Sequence, residues 1–555
     1  MKPLGTSVPT VPTVTKNAKV LTHLGYSIKK SMLTKEQDDK IRKELTVSPK
    51  QMGRYAGKAD SWPTFQESVA RYYLPRMWGI EEFGQPDSST LVDGNPIRED
   101  LAFIGKPYDY QKEIVENFVK VGNGLICVPC GRGKTFMAIN IAKKLGRKFM
   151  VVVDKEFLLQ QWSGELRALM PGIRIGIIQE NLKQIGLVEE VPRIKTIPEL
   201  KVELKELGLK VSGTKDELLA RLSAVRPPEK PAPVEYDCCI AMIQTLVQRD
   251  FDETDFRSFG FTIFDECHHL GASHFSRALF KVQTKYMLGL SATPVRDDGL
   301  TRVFEWFIGK PVYWEKTREA DPDVIVKKVE FEADDHEYTK EPVDYRGDVV
   351  LATLLTQILE YEPRNERIDE IMKELVSEKE RRILVLSDRI SHLERIEKGL
   401  PKGTTVSYYI GGMKEHIREG GAKTAQVLLG TYAMASEAMN IKTLNTMVMV
   451  SPRKKIEQST GRILRVQKDS RTVSPLIVDI VDSHGVYQGQ WKKRKAYYKK
   501  CAYKIVVHGE AVAAAEVEGE GERGEGGERG ERVNEGKKES SDVIPITKGR
   551  CMMLD

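Results

Sequence analysis

A glycine-rich turn between an apolar run and a helical run constrains this chain most. Leu125–Val128 is apolar, Pro129–Thr135 reads PCGRGKT, and Phe136–Leu145 has the apolar spacing of a helix. A turn of this kind lets backbone N–H groups converge on phosphate at the helix N-terminus. The order of strand, turn and helix therefore predicts a buried parallel sheet with a phosphate-binding site at one edge.

Two side chains at the end of this turn carry the chemistry that a triphosphate needs. We expect Lys134 to reach the β- and γ-phosphates and the Thr135 hydroxyl to ligate Mg²⁺. The longer form of the motif, G-x-x-x-x-G-K-[ST], would need glycine where this chain has Val128. The turn predicts ATP and Mg²⁺ as cofactors. The backbone that would cradle the phosphates belongs to Cys130, Gly131, Arg132 and Gly133.

An acidic pair follows a second apolar run. Asp265 and Glu266 come directly after Phe261–Phe264, at the carboxyl end of a predicted buried strand. We expect Asp265 to hold Mg²⁺ through water and Glu266 to orient and deprotonate the attacking water. An Asp-Glu pair alone is usually a solvated turn. Here Ser291–Thr293 ends the next strand, and three strand-end motifs in this order favour a nucleotide-hydrolysing site.

Short β-rich runs alternate with amphipathic helical runs in two parts of the chain. This alternation predicts an α/β fold with two parallel-sheet domains in tandem. We expect the first domain at 101–320 and the second at 321–508, after an accessory domain at 1–100. The prolines of 226–234 predict a stiff linker. The Gly, Glu and Arg residues of 509–555 predict a disordered acidic tail.

The accessory domain is the least patterned part of the chain. Pro63–Glu82 is rich in aromatic residues and includes Tyr72, Tyr73, Arg71 and Arg76. These residues would suit contact with a substrate on a β-rich domain. A domain that only packs against its neighbour explains them equally well.

Charge is unevenly distributed along the chain. The net charge is +6, but 510–542 holds eleven Asp/Glu and five Lys/Arg, a net of −6, so the remainder carries +12. A basic body favours a polyanionic partner. No apolar run approaches the roughly 20 residues that a membrane span needs. The seven cysteines are sparse and odd in number, which favours an intracellular location, in the cytoplasm or nucleus, over secretion.

The second domain would complete the nucleotide site. Gln458–Arg465 places Arg462 and Arg465 on one helical face. Two such arginines are most often a solvated face. Because the earlier motifs precede them, we expect them to act as arginine fingers that reach the γ-phosphate. A site divided between two domains makes hydrolysis depend on domain closure.

These motifs, in this order, resemble those of superfamily-2 helicases of the DEAH-related branch. The resemblance rests on Tyr108–Gln111, Cys130–Thr135, Val151–Trp162, Ile243–Leu246, Asp265–His268, Ser291–Thr293, Leu384–Asp388, Gly430–Ile441 and Gln458–Arg465. It implies two RecA-like domains, ATP hydrolysis with Mg²⁺ and a nucleic-acid track across both domains. Cys267–Leu270, Tyr286–Arg296 and Thr431–Glu437 are in addition similar to helicases of large DNA viruses, including the poxvirus transcript-release type.

The resemblance also implies roles for individual residues. Gln111 would read the edge of the adenine base. Residues that would couple nucleotide state to the nucleic-acid track are His268, Ser291, Thr293, Glu437 and Gln458. These relatives commonly have Asp where this chain has Asn440. The change removes a charged acceptor between the two sites, so we do not expect vigorous unwinding.

Residues 195–225 predict two short helices joined by a loop. Thr196–Glu199 and Thr214–Glu217 are capping signatures, and leucines at helical spacing follow each. The segment resembles the SAP motif, a small helical DNA-binding module, at Leu209, Gly213, Lys215 and Leu218. The candidate DNA contacts are Lys201, Lys210 and Lys215. A helical hairpin that merely caps its host domain is the alternative, because a net charge of +1 gives weak phosphate binding.

Together these patterns predict an ATP-dependent DNA helicase or double-strand translocase. The resemblance alone implies 3′-to-5′ polarity. One alternative is a transcript-release motor that moves on DNA without net unwinding, and RNA or the transcription and replication machinery are further candidate partners. A different class is a DNA-binding scaffold that does not hydrolyse ATP. The intact set of Lys134, Asp265, Glu266 and Arg465 argues against a scaffold.

Overall fold

The structure is a computed structural model that describes residues 17–50, 60–187, 197–225, 235–252, 254–316, 320–437, 441, 443–464, 466 and 468–508. The predicted linker at 226–234 and tail at 509–555 lie outside these ranges. Thr196, Asn440 and Arg465 also lie outside them.

A small β-rich unit precedes the first large sheet. Its strands are β1 (Lys19–Thr22), β2 (Gly25–Lys29), β3 (Thr46–Val47), β4 (Trp62–Pro63), β5 (Gln66–Glu67), β6 (Arg71–Leu74) and β7 (Ser88–Ser89), and its helices are α1 (Lys35–Glu44) and α2 (Arg76–Phe83). Five of the strands form one sheet in the order β5-β6-β2-β1-β7. Its core contains Tyr26, Ile41, Tyr72 and Trp78.

The first α/β sheet has eight strands. They are β8 (Asn123–Cys127), β9 (Phe149–Val153), β10 (Ile175–Gln179), β11 (Leu182–Lys183), β12 (Cys238–Met242), β13 (Phe261–Phe264), β14 (Tyr286–Ser291) and β15 (Pro311–Trp314). Their order is β11-β10-β12-β9-β13-β14-β8-β15, and each pairing is parallel except β10 with β11. The central strands β9 and β13 are buried along their whole length, because helices cover both faces of such a sheet.

The helices of this part connect the strands. They are α3 (Asp109–Val121), α4 (Lys134–Leu145), α5 (Glu156–Leu169), α6 (Ile197–Glu206), α7 (Lys215–Val225), α8 (Ile243–Gln248), α9 (Ser273–Ser276) and α10 (Thr301–Ile308). The chain reaches its functional motifs at the carboxyl ends of β8, β13 and β14, which share one edge of the sheet. Parallel α/β sheets bind ligands at that edge.

The second α/β sheet has seven parallel strands. They are β16 (Ile325–Phe331), β17 (Ile383–Ser387), β18 (Val406–Tyr409), β19 (Val427–Thr431), β20 (Thr446–Met449), β21 (Leu476–Asp482) and β22 (Lys504–Val507), in the order β18-β19-β17-β20-β21-β16-β22. The helices are α11 (His336–Thr339), α12 (Leu351–Glu360), α13 (Glu362–Ser377), α14 (Ile390–Gly399), α15 (Glu415–Thr424), α16 (Tyr432–Glu437), α17 (Glu457–Thr460) and α18 (Gly485–Lys500). The predicted fold, two parallel-sheet α/β domains in tandem, is confirmed.

Helices α6 and α7 form a hairpin with its own small core. Leu200, Leu204, Leu218 and Leu222 are buried against one another. The second capping signature is present, since the Thr214 N–H donates to Glu217 Oε2 at 3.0 Å and the Glu217 N–H donates to Thr214 Oγ1 at 3.4 Å. On the host side, Leu187 and Glu235 form an antiparallel bridge, so the chain leaves and re-enters the sheet domain at one place.

The two α/β parts contact each other. Phe157 of α5 packs against the hydrophobic cores of both sheets. Lys455 Nζ lies 2.6 Å from Asp297 Oδ2, an ion pair between the two parts. Among the helices that the structure describes, none combines the length and apolar character that crossing a bilayer requires.

Candidate active site between the two sheets

The glycine-rich turn leads from β8 into α4. Gly131 and Gly133 have φ angles of 87° and 80°, a left-handed backbone that suits glycine. Lys134 is the first residue of α4, and Thr135 is the second. The first N–H groups of a helix have no partner within it, so the start of α4 offers donors to an anion.

The charge of Lys134 is maintained by its acidic neighbours. Lys134 Nζ lies 3.5 Å from the carbonyl oxygen of Val128. Burial opposes the charge, but Cys130, Glu266 and Asp265 outweigh it and raise the pKa of Lys134 above its ordinary value. A lysine that stays charged at the start of α4 is suited to binding phosphate.

Gln111 connects α3 to the glycine-rich turn. Its Oε1 accepts from the Tyr108 N–H at 3.0 Å, and its Nε2 donates to the carbonyl oxygen of Arg132 at 3.1 Å. A Cβ atom on Gly133 would lie 2.5 Å from Nε2, so a larger residue there would displace the Gln111 amide, besides straining the left-handed backbone. The structure brings Gln111 to the phosphate turn; that it reads adenine stays a prediction.

Two tyrosines lie beside this turn, and the sequence analysis assigned neither of them an individual role. Tyr108 and Tyr110 stack with ring centroids 5.9 Å apart and an interplanar angle of 8°. The guanidinium of Arg132 lies 4.3 Å over the Tyr110 ring, and its Nε donates to Glu315 Oε2 at 3.0 Å. Tyr108 is 52% exposed, so about half of this residue faces solvent beside the turn. The Tyr-x-Tyr-Gln pattern at 108–111 is the feature of the sequence that could have indicated this stacked pair.

Asp265 lies at the end of β13 and is held from two sides. Its Oδ2 accepts from the indole N–H of Trp162 at 2.8 Å, and its Oδ1 accepts from the Glu266 N–H at 2.9 Å. Burial and the adjacent Glu266 charge raise the pKa of Asp265 to about 6. A divalent cation would relieve both effects. Sequence reasoning missed Trp162 as a positioning residue.

Glu266 has an unusual backbone and a poorly satisfied carboxylate. Its φ angle is 42°, which is uncommon for a residue with a side chain. Its Oε2 is buried and accepts no hydrogen bond from the described residues, although His268 Nδ1 lies 3.3 Å away. The geometry of that contact is too poor for a hydrogen bond, so Oε2 retains its capacity to accept from a water molecule.

A cavity of about 30 Å³ adjoins Glu266, and its walls come from both α/β parts. The first part contributes Asp154, Lys155, Leu158, Glu266, His268 and His269, and the second contributes Gln458. This volume is enough for a water molecule. The structure therefore brings Glu266, His268 and Gln458 together around one cavity, and their roles stay predictions.

His268, Ser291 and Thr293 form a short chain of hydrogen bonds. His268 Nδ1 lies 3.0 Å from Ser291 Oγ, and the Thr293 N–H donates to the same oxygen at 3.1 Å. Burial lowers the pKa of His268 to about 4, so the imidazole is neutral near pH 7. The chain links the end of β13 to the end of β14.

The second α/β part contributes Arg462. Arg462 is buried, and its Nε donates to the carbonyl oxygen of Ala435 at 2.6 Å. Its charge acts to lower the pKa of Lys134, against the stronger opposite effect of Cys130, Glu266 and Asp265. Glu437 is the last residue of α16. Arg465 and Asn440 lie outside the described residues, and their predicted roles stay predictions.

The donor set fits a magnesium nucleotide. In nucleotide sites Mg²⁺ usually binds one or two carboxylates together with water and substrate phosphates. Asp265 supplies a carboxylate and Thr135 a hydroxyl beside the α4 N-terminus. Across the residues that the structure describes, no three His, Cys, Asp or Glu side chains converge as a metal cage built from protein alone would require.

The residues predicted to contact nucleic acid differ in their setting. Lys201 and Lys210 are exposed on the α6–α7 hairpin, and Lys215 is partly exposed. In the N-terminal unit, Tyr72 is buried in the core and Arg76 is 6% exposed. Arg76 donates to Asn123 Oδ1 and to two carbonyl oxygens before β14. The burial of these two residues favours the packing alternative: Tyr72 lies in the core of the unit, and Arg76 joins the unit to the first α/β sheet.

Comparison with known proteins shows which family model and which relatives this chain resembles. Residues 104–296 match the family model described as type III restriction enzyme, res subunit. The chain is 28% identical over 501 residues to "Putative ATP-dependent RNA helicase L396" of Acanthamoeba polyphaga mimivirus, covering 87% of this chain and 86% of that protein.

Two further relatives share less sequence. The first is "Putative ATP-dependent RNA helicase QP509L" of African swine fever virus, 24% identical over 428 residues, with 72% of this chain and 74% of that protein covered. The second is "Putative DNA 3'-5' helicase Rad25" of Halobacterium salinarum, 27% identical over 279 residues, with 49% and 38% covered. The matched family model and the similarity to these helicases indicate an ATP-hydrolysing helicase of the superfamily-2 type.

Proposed function

We propose that this helicase couples ATP hydrolysis to movement along DNA, or to its unwinding, with 3′-to-5′ polarity. One observation carries the hydrolytic half of the proposal. Glu266, whose Oε2 has no hydrogen-bond partner among the described residues, lines a water-sized cavity that Gln458 closes from the second α/β part. A catalytic site completed by two domains can convert nucleotide state into relative domain movement.

Each residue has a role in this mechanism. Lys134 and the backbone of the glycine-rich turn bind the β- and γ-phosphates. Glu266 accepts a proton from the attacking water. Asp265, oriented by Trp162, and Thr135 would hold Mg²⁺. When bound, Mg²⁺ neutralises charge that develops on the phosphates.

The second domain supplies charge and communication. Arg462, with Arg465, stabilises the charge that develops on the γ-phosphate. Gln458 and His268 detect closure of the site, and Ser291, Thr293 and Glu437 transmit it to the nucleic-acid track. The hydrogen bonds from His268 through Ser291 to Thr293 support this route. Gln111 and the exposed part of Tyr108 hold the adenine base.

Two observations support DNA as the track. The α6–α7 hairpin, which resembles a DNA-binding module, presents Lys201 and Lys210 to solvent. The archaeal relative is named as a DNA 3′-5′ helicase. RNA is the second candidate, because both viral relatives are named as RNA helicases. These viral relatives also support a location inside a cell, the cytoplasm or nucleus of an infected host.

The decisive experiment compares nucleic acids as activators of ATP hydrolysis. Duplex DNA, single-stranded DNA and RNA are added in turn to the wild type, Lys134→Ala and Glu266→Gln. We expect duplex DNA to give the highest rate. Each substitution should lower it by at least about 100-fold, because each removes a group that acts in the transition state. Glu113→Gln, at an exposed position of α3, is the matched carboxylate control.

Strand displacement then separates unwinding from movement alone. Duplexes with 3′ or 5′ tails are offered with ATP, in DNA and in RNA versions. Preferential unwinding from the 3′ tail supports the proposal, and preference for the 5′ tail contradicts the polarity. DNA-stimulated hydrolysis without displacement, combined with eviction of a third strand, would identify a translocase of the transcript-release kind. Higher activation by RNA than by DNA would favour the second candidate.

A further inference from the structure

The outer face of α18 carries a concentrated positive charge. The helix reads GVYQGQWKKRKAYYKK, with six basic residues and no acidic residue. Five of the six are exposed, namely Lys492, Lys493, Lys495, Lys499 and Lys500. At about 100° per residue they cover an arc of about 160° around the helix axis. The five lysines therefore form one continuous surface, which we call the lysine face.

The sixth basic residue of α18 is in the opposite situation. Arg494 is 2% exposed, and its Nε and Nη2 each donate to the Asp479 carboxylate at 2.8 Å. Among the residues that the structure describes, Arg494 is the one basic residue of α18 that forms an ion pair. The fold therefore compensates the inward charge of this helix, and no described carboxylate pairs with the lysine face.

The inner face of α18 fixes the helix to the second α/β part. Trp491 and Tyr498 are buried in the hydrophobic core on one face of the second sheet. The hydroxyl of Tyr497 lies 3.0 Å from Thr460 Oγ1, and Thr460 belongs to the segment that carries Arg462. The lysine face therefore has a rigid support, and that support is joined to a segment of the candidate active site.

A lipid surface is a poor match for the lysine face. Helices that lie on a membrane insert large apolar side chains among the lipid chains. In α18 the side chains of Trp491 and Tyr498 are already in the core, and the exposed positions other than the lysines are Gly485, Gly489 and Ala496. These small residues leave the lysines as the main feature of the surface, which favours a polyanion in water.

We propose that the lysine face of α18 binds the phosphate backbone of duplex DNA. The lysines extend over about 12 Å of helix, and B-DNA presents about seven phosphate charges over that length. The two surfaces therefore match in charge and in size. Contacts to phosphate do not read base sequence, which suits a protein that moves along its substrate. The choice of DNA as the polyanion rests on the proposed function, whereas the lysine face itself does not.

The test measures binding of a labelled duplex DNA to the full chain without nucleotide, by fluorescence anisotropy at salt concentrations from about 50 mM to about 200 mM. The test variant is Lys492→Ala/Lys495→Ala/Lys499→Ala. We expect its affinity to fall by at least about ten-fold at the lowest salt. The slope of log affinity against log salt should become shallower by about two to three, because each lost phosphate contact removes about 0.9 from it.

A matched variant removes the same charge elsewhere on the second domain. Lys373→Ala/Lys398→Ala/Lys402→Ala changes three exposed lysines, and α13 and α14, which carry the first two, cover the opposite face of the second sheet. This control should keep the wild-type affinity and slope. Unchanged binding in the α18 variant, or an equal loss in the control, overturns the proposal. So does a loss confined to an RNA duplex, or a loss seen only in sedimentation with phosphatidylserine vesicles.

A charge-conserving variant keeps the test independent of folding defects. Lys492→Arg/Lys495→Arg/Lys499→Arg should bind duplex DNA as the wild type does, and weaker binding at an unchanged melting temperature contradicts a role for charge. The alanine variant should also keep its melting temperature, because alanine favours helix and the lysines are exposed. The proposed function is tested by a different readout: it fails if no nucleic acid raises ATP hydrolysis, whereas binding to the lysine face is measured without ATP.

Discussion

Trp162 donates its indole N–H to Oδ2 of Asp265 at 2.8 Å, and this single contact joins α5 to the carboxylate that we assign to Mg²⁺. Trp162 is fully buried, so its ring cannot rotate away from the carboxylate without disturbing the core. The contact leaves Asp265 with one oxygen fixed by an indole and the other near the Glu266 backbone.

Removing this donor should impair metal use more than folding. Trp162→Phe keeps an aromatic ring in the core and deletes only the N–H group and part of the ring. We expect the Mg²⁺ concentration for half-maximal ATPase activity to rise by about 10-fold to 100-fold, the usual effect of losing a group that orients a ligand. Trp306→Phe is the matched control. Unchanged Mg²⁺ dependence in Trp162→Phe would refute the positioning role.

The ion pair between Lys455 and Asp297 should influence closure of the two domains. Both side chains are about half exposed, so their contribution to folding is small. The hydrogen bond from Lys455 lowers the pKa of Asp297. We expect Lys455→Glu to lower the ATPase rate several-fold at low salt and less at high salt, because screening weakens exposed pairs. The double variant Lys455→Glu/Asp297→Lys should recover most of the rate, and failure to recover would mean that the pair has no role in closure.

A substitution in the core of the α6–α7 hairpin should unfold the hairpin while the rest of the chain stays folded. Leu218→Ala removes a buried side chain from a core of four leucines, and such a change costs about 2–5 kcal/mol. The folding free energy of a hairpin with so small a core is lower than this cost, so the hairpin unfolds. We expect loss of helical signal from the hairpin alone, weaker nucleic-acid binding and an unchanged melting temperature for the sheets.

A second variant separates the fold of the hairpin from its charge. Lys201→Ala/Lys210→Ala/Lys215→Ala should keep the helices and reduce the salt dependence of binding, because fewer counterions are released. Circular dichroism and binding at two salt concentrations measure both effects. DNA affinity that neither variant changes would show that the hairpin is a spacer.

Arg364 and Asp482 form a buried ion pair that anchors α13 to β21. Both side chains are fully buried, with Nε to Oδ1 at 2.6 Å and Nη2 to Oδ2 at 3.0 Å. Arg364→Met should destabilise the second domain by about 3–5 kcal/mol, since it leaves a buried carboxylate without its cation. Urea denaturation measures the loss. The double variant Arg364→Met/Asp482→Leu should lose less than the single variant, and an equal or larger loss would contradict this account.

His392 should make the second domain sensitive to acid. His392 lies between Ser387 Oγ at 3.1 Å and Asn365 Oδ1 at 2.9 Å. Burial lowers its pKa from 6.5 to about 3, so between these values the unfolded chain binds more protons than the folded one. Stability is therefore lost as the pH falls through this window. The stability advantage of the wild type over His392→Gln should be smaller at about pH 5 than at about pH 7.5 by thermal unfolding; a constant advantage would exclude His392 as the cause.

The buried parallel strands were predictable from apolar runs alone. Phe261–Phe264 matches its prediction at both ends, and Leu125–Val128 differs from the observed β8 by two residues at the start and one at the end. Both lie between covering helices, so the sequence has no polar alternation to obscure the pattern. The motifs at the carboxyl ends of these strands then define the phosphate turn and the acidic pair.

Contacts between distant segments were not predictable in the same way. Trp162 and Asp265 are 103 positions apart, and an indole beside a carboxylate leaves no local pattern. The β-rich N-terminal unit escaped detailed prediction because several of its strands have only two residues. Tyr72 and Arg76 resemble substrate contacts in the sequence, and only tertiary packing shows that they are buried.

The bridge between Leu187 and Glu235 has a consequence for how this chain can be altered. It holds the two ends of the inserted segment side by side. For the sheet domain, the hairpin is therefore an insertion whose two ends are already adjacent. Loop-closure entropy changes slowly with length, and a short glycine-serine connection would fit the same junction. A different nucleic-acid-binding module can therefore be inserted at this junction without changes to the two sheet domains.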